Sequence, residues 1–352
     1  MPKVAIIGTT TWGTTLGVVL AHKKVDVRLW ARTEREAISL RNTTPGSTLS
    51  PDVEFPPEHM LVTSSLAEAM THADAIIMAV PSQSMRQNVN LIAGYLKRWM
   101  VIISAAKGLE LGTNKRMSQV IAEEIEPQFR PRVCVLSGPN LAAEIMRDLP
   151  AATVVAAEKE FIARKAQRLL SAPNLCVYTN SDVVGVELGG ALKNIIALGA
   201  GMADGLGYGD NAKATFISRG LTEITALAVA LGANPLTLSG LAGLGDLIAT
   251  CASPLSRNHY LGVELTKGRS LTEITDSMEG IAEGVTTTSA AWDLAQEMGL
   301  EMPITEKIYQ VLYRGHDPRQ AAAELMNAEA THELAGRRWT LFSLFRRRRR
   351  SA

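Results

Sequence analysis

Two lysines and an aspartate stand out by their settings. Lys193 lies in GVELGGALKNIIALGAG, a mainly apolar run with helical spacing. An ammonium is costly to bury unless it is paired. Burial beside a second lysine would draw its pKa toward neutrality, where it can donate a proton. Lys107, in SAAKGLE, follows an apolar run at a strand end, where a lysine can hold a phosphate or polarise a carbonyl. Asp246, in GLAGLGDLIATC, stands at a helix start, from which a carboxylate can orient a lysine. Ser256, Arg257 and Asn258 open another helix, where an arginine and free N–H groups suit a phosphate. Each also has a plain structural reading. Lys193 can run its stem to the surface, Lys107 can be a loop lysine, and Asp246 and Ser256 can simply cap helices.

A cofactor loop stands at the other end of the chain. MPKVAIIGTTTWGTTLG reads as strand, turn and helix, with Gly8 and Gly13 at the first and third positions of a dinucleotide-binding loop. The middle glycine is replaced by Thr10, whose β-branched side chain resists a positive φ. The loop accommodates it if φ is negative and the hydroxyl points away or bonds a phosphate. The second strand ends Leu29-Trp30-Ala31-Arg32-Thr33, with no acid before Glu34. Arg32 suits a 2′-phosphate, so the charge logic favours NADP over NAD.

These residues need a frame that gathers them. The runs KVAII, VDVRLWAR, LVTSS, ADAIIMAVPS, MVIISAAKG, RVCVLSGPN, AATVVAA and NLCVYTN read as strands, with helical patterns between the earlier ones. Such alternation predicts a doubly wound, mostly parallel sheet that binds ligands at the carboxyl ends of its strands. After Asp182 only helical patterns remain, with Gly232, Gly299 and Gly315 as stops. The expected division is 1–180, 181–330 and a tail, 331–352.

Composition excludes several other classes. The chain has 352 residues, 46% hydrophobic and 20% charged, enough for about two domains of roughly 100–200 residues each. Of its 36 lysines and arginines, seven fall in residues 337–352; the remaining 29 face 35 acids, a body of net charge −6. Such a body offers no broad basic field for nucleic acid. Cys134, Cys176 and Cys251 suggest neither disulfides nor zinc and fit a reducing cytoplasm. The histidines have no metal spacing, and no metal is expected. No uninterrupted apolar run reaches the ~18 residues of a membrane span. The N-terminus enters a strand at once, so no secretory signal is expected.

Taken together, GTTTWGTTLG, VPSQSMR, SAAKGLE, LSGPNLAAEI, GGALKNIIALGAGMADGLGYGDNAKATFISRGLTEI, GLAGLGDLIATC, SRNHYLG and MEGIAEG resemble the bacterial NAD(P)-dependent glycerol-3-phosphate dehydrogenases, from about residue 3 to 330. The resemblance implies an α/β N-terminal Rossmann-like doubly wound sheet plus an all-α C-terminal domain, 6-phosphogluconate dehydrogenase-like in fold. It implies reversible hydride transfer between NAD(P)H and dihydroxyacetone phosphate, giving sn-glycerol 3-phosphate for phospholipid synthesis. Lys193 matches the proton-transferring lysine, Lys107 a lysine touching substrate and cofactor, and Asp246 a carboxylate on the substrate side. Gly138, Asn140, Ser256, Arg257 and Asn258 match substrate positions, Arg257 also reaching the cofactor. Thr11, Trp12, Arg32, Thr33, Ala142, Ile281 and Glu283 match cofactor positions. The family pattern has Gly at 10 and Ser at 140, where this chain has Thr and Asn. Two other functions fit parts of the pattern: a related reductase of another small acid or phosphate, such as a ketopantoate reductase, and a non-catalytic dinucleotide sensor.

The resemblance fades near residue 330. Beyond it, Trp339, Leu341, Phe342, Leu344 and Phe345 precede five consecutive arginines, Arg346 to Arg350. Aromatic side chains beside arginines suit the surface of an anionic membrane. A solvated basic tail is the alternative. A cytoplasmic homodimer, peripheral at the membrane through this tail, is the expected setting.

Overall fold

The computed structural model describes residues 1–42, 55, 57–278 and 280–327. Eight strands form one sheet: β1 (Lys3–Ile7), β2 (Asp26–Trp30), β3 (Met60–Thr63), β4 (Ala75–Met78), β5 (Val101–Ser104), β6 (Val133–Ser137), β7 (Ala151–Ala156) and β8 (Leu175–Asn180). Their order is β3-β2-β1-β4-β5-β6-β7-β8. The first six are parallel, β7 runs antiparallel to β6, and β8 is parallel to β7. The chain order reverses between β1 and β4, the switch point where an open sheet leaves a crevice for a ligand.

The central strands β1, β4, β5 and β6 are apolar at nearly every position because both faces are covered. Val4 and Ile6 face one core with Leu29, Ile77 and Ile103, while Ala5 and Ile7 face the other with Ile76, Met78 and Ile102. Alternation along each strand sends successive side chains to opposite faces, so a doubly covered strand reads as a continuous apolar run.

The second unit is built around the central helix Val183–Gly205. Every residue from Leu188 to Ala203 is buried. By length and composition this helix could cross a membrane, but 89% of its most apolar window is covered by the protein itself. A helix apolar all round needs such a sheath. Helices Asp210–Ala230, Asp246–Ala252, Arg257–Thr266, Gly284–Met298 and Pro303–Arg314 provide it. Gly299 and Gly315 end two of these helices in the left-handed conformation, at φ 63° and 67°. Cys134, Cys176 and Cys251 are free thiols.

Polar ties cross the seam between sheet and helices. Glu187, on the central helix, accepts from Ser118 N (2.7 Å) and Ser118 Oγ (2.5 Å) and pairs with Arg116. Glu283 accepts from Ser82 N (2.8 Å) and from the Ser82 hydroxyl. A third tie joins Lys107 to Asp246.

Candidate active site

The dinucleotide loop leaves β1 at Gly8, whose φ is +109°. A Cβ at Gly8 would lie 2.7 Å from the Ala79 carbonyl oxygen, and one at Gly13 2.4 Å from the Gly8 carbonyl oxygen. Both glycines therefore have the roles expected of them: a tight turn and close packing of helix on strand. Thr10 is the N-cap of helix Thr11–His22, with φ −61° and ψ 157°. Its hydroxyl donates to Ala79 O (2.8 Å) and accepts from Gly13 N (3.1 Å). The hydroxyl thus neither points away nor waits for a phosphate; it closes the helix end and ties β1 to β4 across the switch point. The N–H groups of Thr11 and Trp12 remain as helix-terminal donors without intrahelical acceptors.

The reacting groups meet at the seam. Lys107, just past β5, donates to Gly138 O (2.7 Å) and Asp246 Oδ2 (2.7 Å). Lys193 donates to Asp246 Oδ1 (2.6 Å) and to the Thr250 hydroxyl. One carboxylate, 1% exposed, thus lies between two ammoniums, and Lys193 is itself 6% exposed. Asp246 and Thr250 stand one turn apart on helix Asp246–Ala252, and Thr250 donates back to Asp246 O (2.7 Å). Asp246 begins its helix directly after a π-helical turn, Leu241–Gly245. The central helix approaches this group at Gly190, where a Cβ would stand 2.2 Å from Ser137 Oγ.

The three charges leave one positive surplus in a largely dry site, which favours an anion or a developing alkoxide. The Lys107 ammonium is pushed down to about 8. Burial is the main cause; Lys193 adds to it, and Asp246 opposes it.

Asn258 extends the network. It donates to Asn194 Oδ1 (2.9 Å) and accepts from Gly284 N (2.9 Å), and Asn194 in turn reaches Lys107 O (3.4 Å). Ser256 uses its hydroxyl as the N-cap of helix Arg257–Thr266, accepting from His259 N (3.2 Å). Arg257 is exposed and lies against Gly280, with Glu283 close to its charge. Burial pushes the Glu283 carboxyl up, while Ser82 and Arg257 hold it down. Asn140 donates to Thr153 Oγ1 (2.9 Å) near Gly138.

Some expected positions lie apart from this network. Arg32 is exposed at the end of β2, and Thr33 spends its hydroxyl capping helix Glu34–Arg41. Ile281 is 48% exposed, and Ala142 opens the short helix Ala142–Met146. Sequence reading missed Thr250, Asn194 and Ser82, whose roles depend on partners far along the chain. It also missed Glu36, whose carboxylate reaches back to the end of β2. Trp12 Nε1, Ser137 Oγ and Asn140 Oδ1 are buried without a partner among the described residues. These orphaned atoms, the two crowded glycines and the helix N-terminus fit a polar, phosphate-bearing cofactor and its substrate.

A family model described as NAD-dependent glycerol-3-phosphate dehydrogenase N-terminus matches residues 3–163, and its C-terminus counterpart matches residues 182–323. The chain belongs to the NAD-dependent glycerol-3-phosphate dehydrogenase family. Among the relatives, a glycerol-3-phosphate dehydrogenase of the NAD(P)+ type from Dehalococcoides mccartyi is 62% identical over 349 residues, covering 99% of this chain and 97% of the relative. One from Moorella thermoacetica is 47% identical, covering 96% and 99%. A crystal structure of glycerol-3-phosphate dehydrogenase from Coxiella burnetii superposes with a TM-score of 0.85 at 33% identity, covering 93% of this chain and 99% of that one. A ketopantoate reductase from Ralstonia eutropha shares the fold at 14% identity and a TM-score of 0.55. Membership of the dehydrogenase family accounts for both halves of the chain and for its Rossmann sheet.

Proposed function

We propose that this protein reduces dihydroxyacetone phosphate reversibly to sn-glycerol 3-phosphate with a nicotinamide dinucleotide. The observation that carries the reading is the Lys107–Asp246–Lys193 group, two ammoniums on one buried carboxylate at the seam. The names of the relatives support the substrate and the cofactor class.

In this reading Gly8, Thr10, Thr11, Trp12 and Gly13 hold the dinucleotide, with Arg32, Thr33, Ala142, Arg257, Ile281 and Glu283 along its length. When bound, the dihydronicotinamide supplies the hydride that adds to the carbonyl carbon. Lys193 gives its proton to the carbonyl oxygen, so the carbonyl becomes a secondary alcohol and the lysine is left neutral. Asp246 holds Lys193 in place for that transfer. Lys107 steadies the oxygen as its charge grows. Arg257 and the start of its helix, with Ser256 and Asn258, take the substrate phosphate, and Gly138 and Asn140 border the carbon chain. The product supplies the backbone for phospholipids. The setting that goes with this reading is a cytoplasmic homodimer touching anionic membrane through residues 331–352, which lie outside the described residues.

The test is oxidation of NADH and NADPH with dihydroxyacetone phosphate. Turnover by the wild type is expected, with a loss of at least about a hundredfold in Lys193→Ala, the lower end of what one proton donor contributes. A wild type inactive with both nucleotides overturns the reading.

A further inference from the structure

The end of β2 is where a dinucleotide-binding sheet meets the adenosine ribose, and an acid there accepts from the ribose hydroxyls. Residues 29–33 contain none. The fold supplies one from the next helix. Glu36 stands three residues after the N-cap Thr33, whose hydroxyl accepts from Glu36 N (3.2 Å). A capping-box glutamate would return its carboxylate to the N-cap amide. Glu36 reaches further: Oε2 accepts from Arg32 N at 2.9 Å, and Oε1 accepts from the hydroxyl of Thr9.

Thr9 belongs to the dinucleotide loop, between Gly8 and Thr10. The Glu36 carboxylate therefore bridges the turn after β1 and the turn after β2, strands paired in register up to Ile7 and Trp30. We propose that Glu36 selects the cofactor: its fixed carboxylate accepts from the 2′-hydroxyl of NAD(H) and repels the 2′-phosphate of NADP(H), so this protein prefers NAD(H). The inference rests on the dinucleotide reading above and reverses the preference drawn from Arg32 alone.

Two features make the carboxylate the stronger determinant. It is held by donors on both sides, and a carboxylate has about four acceptor directions, so it retains capacity for a ribose hydroxyl. Arg32 and Arg35 are the nearby cations in sequence; both are exposed and neither joins an ion pair among the described residues. A long exposed guanidinium must be ordered before it can hold a phosphate, whereas the carboxylate is already in place. Like charges set against each other discriminate strongly between otherwise similar ligands.

The experiment measures dissociation constants for NADH and NADPH by nicotinamide fluorescence, without substrate, on the full-length protein. The wild type is expected to bind NADH at least about tenfold more tightly, a ratio equivalent to one charged hydrogen bond. Glu36→Gln, which keeps size and polarity, is expected to shift the ratio toward NADPH by about tenfold or more. A purely structural tie would change both constants together. Arg32→Ala, which keeps Glu36 in place, is expected to preserve or steepen the NADH preference. That variant carries the test if Glu36→Gln fails to fold. A wild type preferring NADPH, a ratio unmoved in Glu36→Gln, or NADH preference lost in Arg32→Ala overturns the role of Glu36. A folded wild type that binds neither nucleotide overturns the dinucleotide reading itself.

Discussion

Lys107 and Lys193 divide the work through one carboxylate. Asp246 Oδ2 takes Lys107 and Oδ1 takes Lys193, so neither ammonium can move without altering the other's electrostatics. This gives a pH dependence with a definite sign. Lys107, at about 8, is charged below that value and neutral above it. The neutral amine cannot steady the growing charge on the carbonyl oxygen, so kcat/KM for dihydroxyacetone phosphate should fall as pH rises through about 8, with kcat taking most of the loss. Asp246 raises the Lys107 pKa, so Asp246→Asn should move this limb to lower pH. That variant also leaves two buried ammoniums without a counter-charge, at a cost of about 3–5 kcal/mol in stability. A pH profile of kcat/KM for both proteins, beside thermal unfolding, checks each statement. An alkaline limb that does not move in Asp246→Asn would refute the shared-carboxylate account.

At the scale of elements, the strands were legible and the loop chemistry was only partly so. The central runs mark β1, β4, β5 and β6 because burial on both faces writes itself into nearly every position, while β8 alternates buried and exposed residues at the sheet edge. Gly8 and Gly13 were legible for the same kind of local reason, since no other residue fits the contacts they make. At Thr10 the negative φ was foreseen but the use of the hydroxyl was not, because a glycine rule states what the loop tolerates, not what a hydroxyl adds. Its φ of −61° needs no glycine, and its oxygen serves helix Thr11–His22 as an N-cap. Replacing Thr10 by alanine should therefore cost about 1 kcal/mol in stability, and replacing it by glycine only a few tenths. Chemical denaturation of the two variants checks this order. Equal losses in both would mean that the tie to Ala79 O, not the cap, is what matters. Glu36 was illegible for a different reason: its position suggests a local capping box, and only the fold shows that it reaches Thr9.

At the scale of the whole molecule, the site exists because two differently built units close on each other. Lys107 and Asp246 are 139 residues apart, a separation no local pattern encodes, although each residue was recognisable by its own setting. The described body ends with helix Pro318–Asn327, and the segment after it has a composition of its own. The body has an acidic excess, while residues 337–352 carry seven arginines and no acid beside Trp339, Phe342 and Phe345. An acidic body is repelled by an anionic bilayer, so any attraction must come from this segment. Each arginine held near such a surface contributes about 1 kcal/mol, and aromatic rings add a salt-insensitive part. Full-length protein should therefore sediment with vesicles containing anionic lipid, less so at high salt, and not with neutral vesicles. A chain ending at Leu334 should stay in the supernatant with unchanged turnover, because the site residues all lie before it. Equal sedimentation of the two chains would exclude the segment as an anchor and leave it a solvated basic tail.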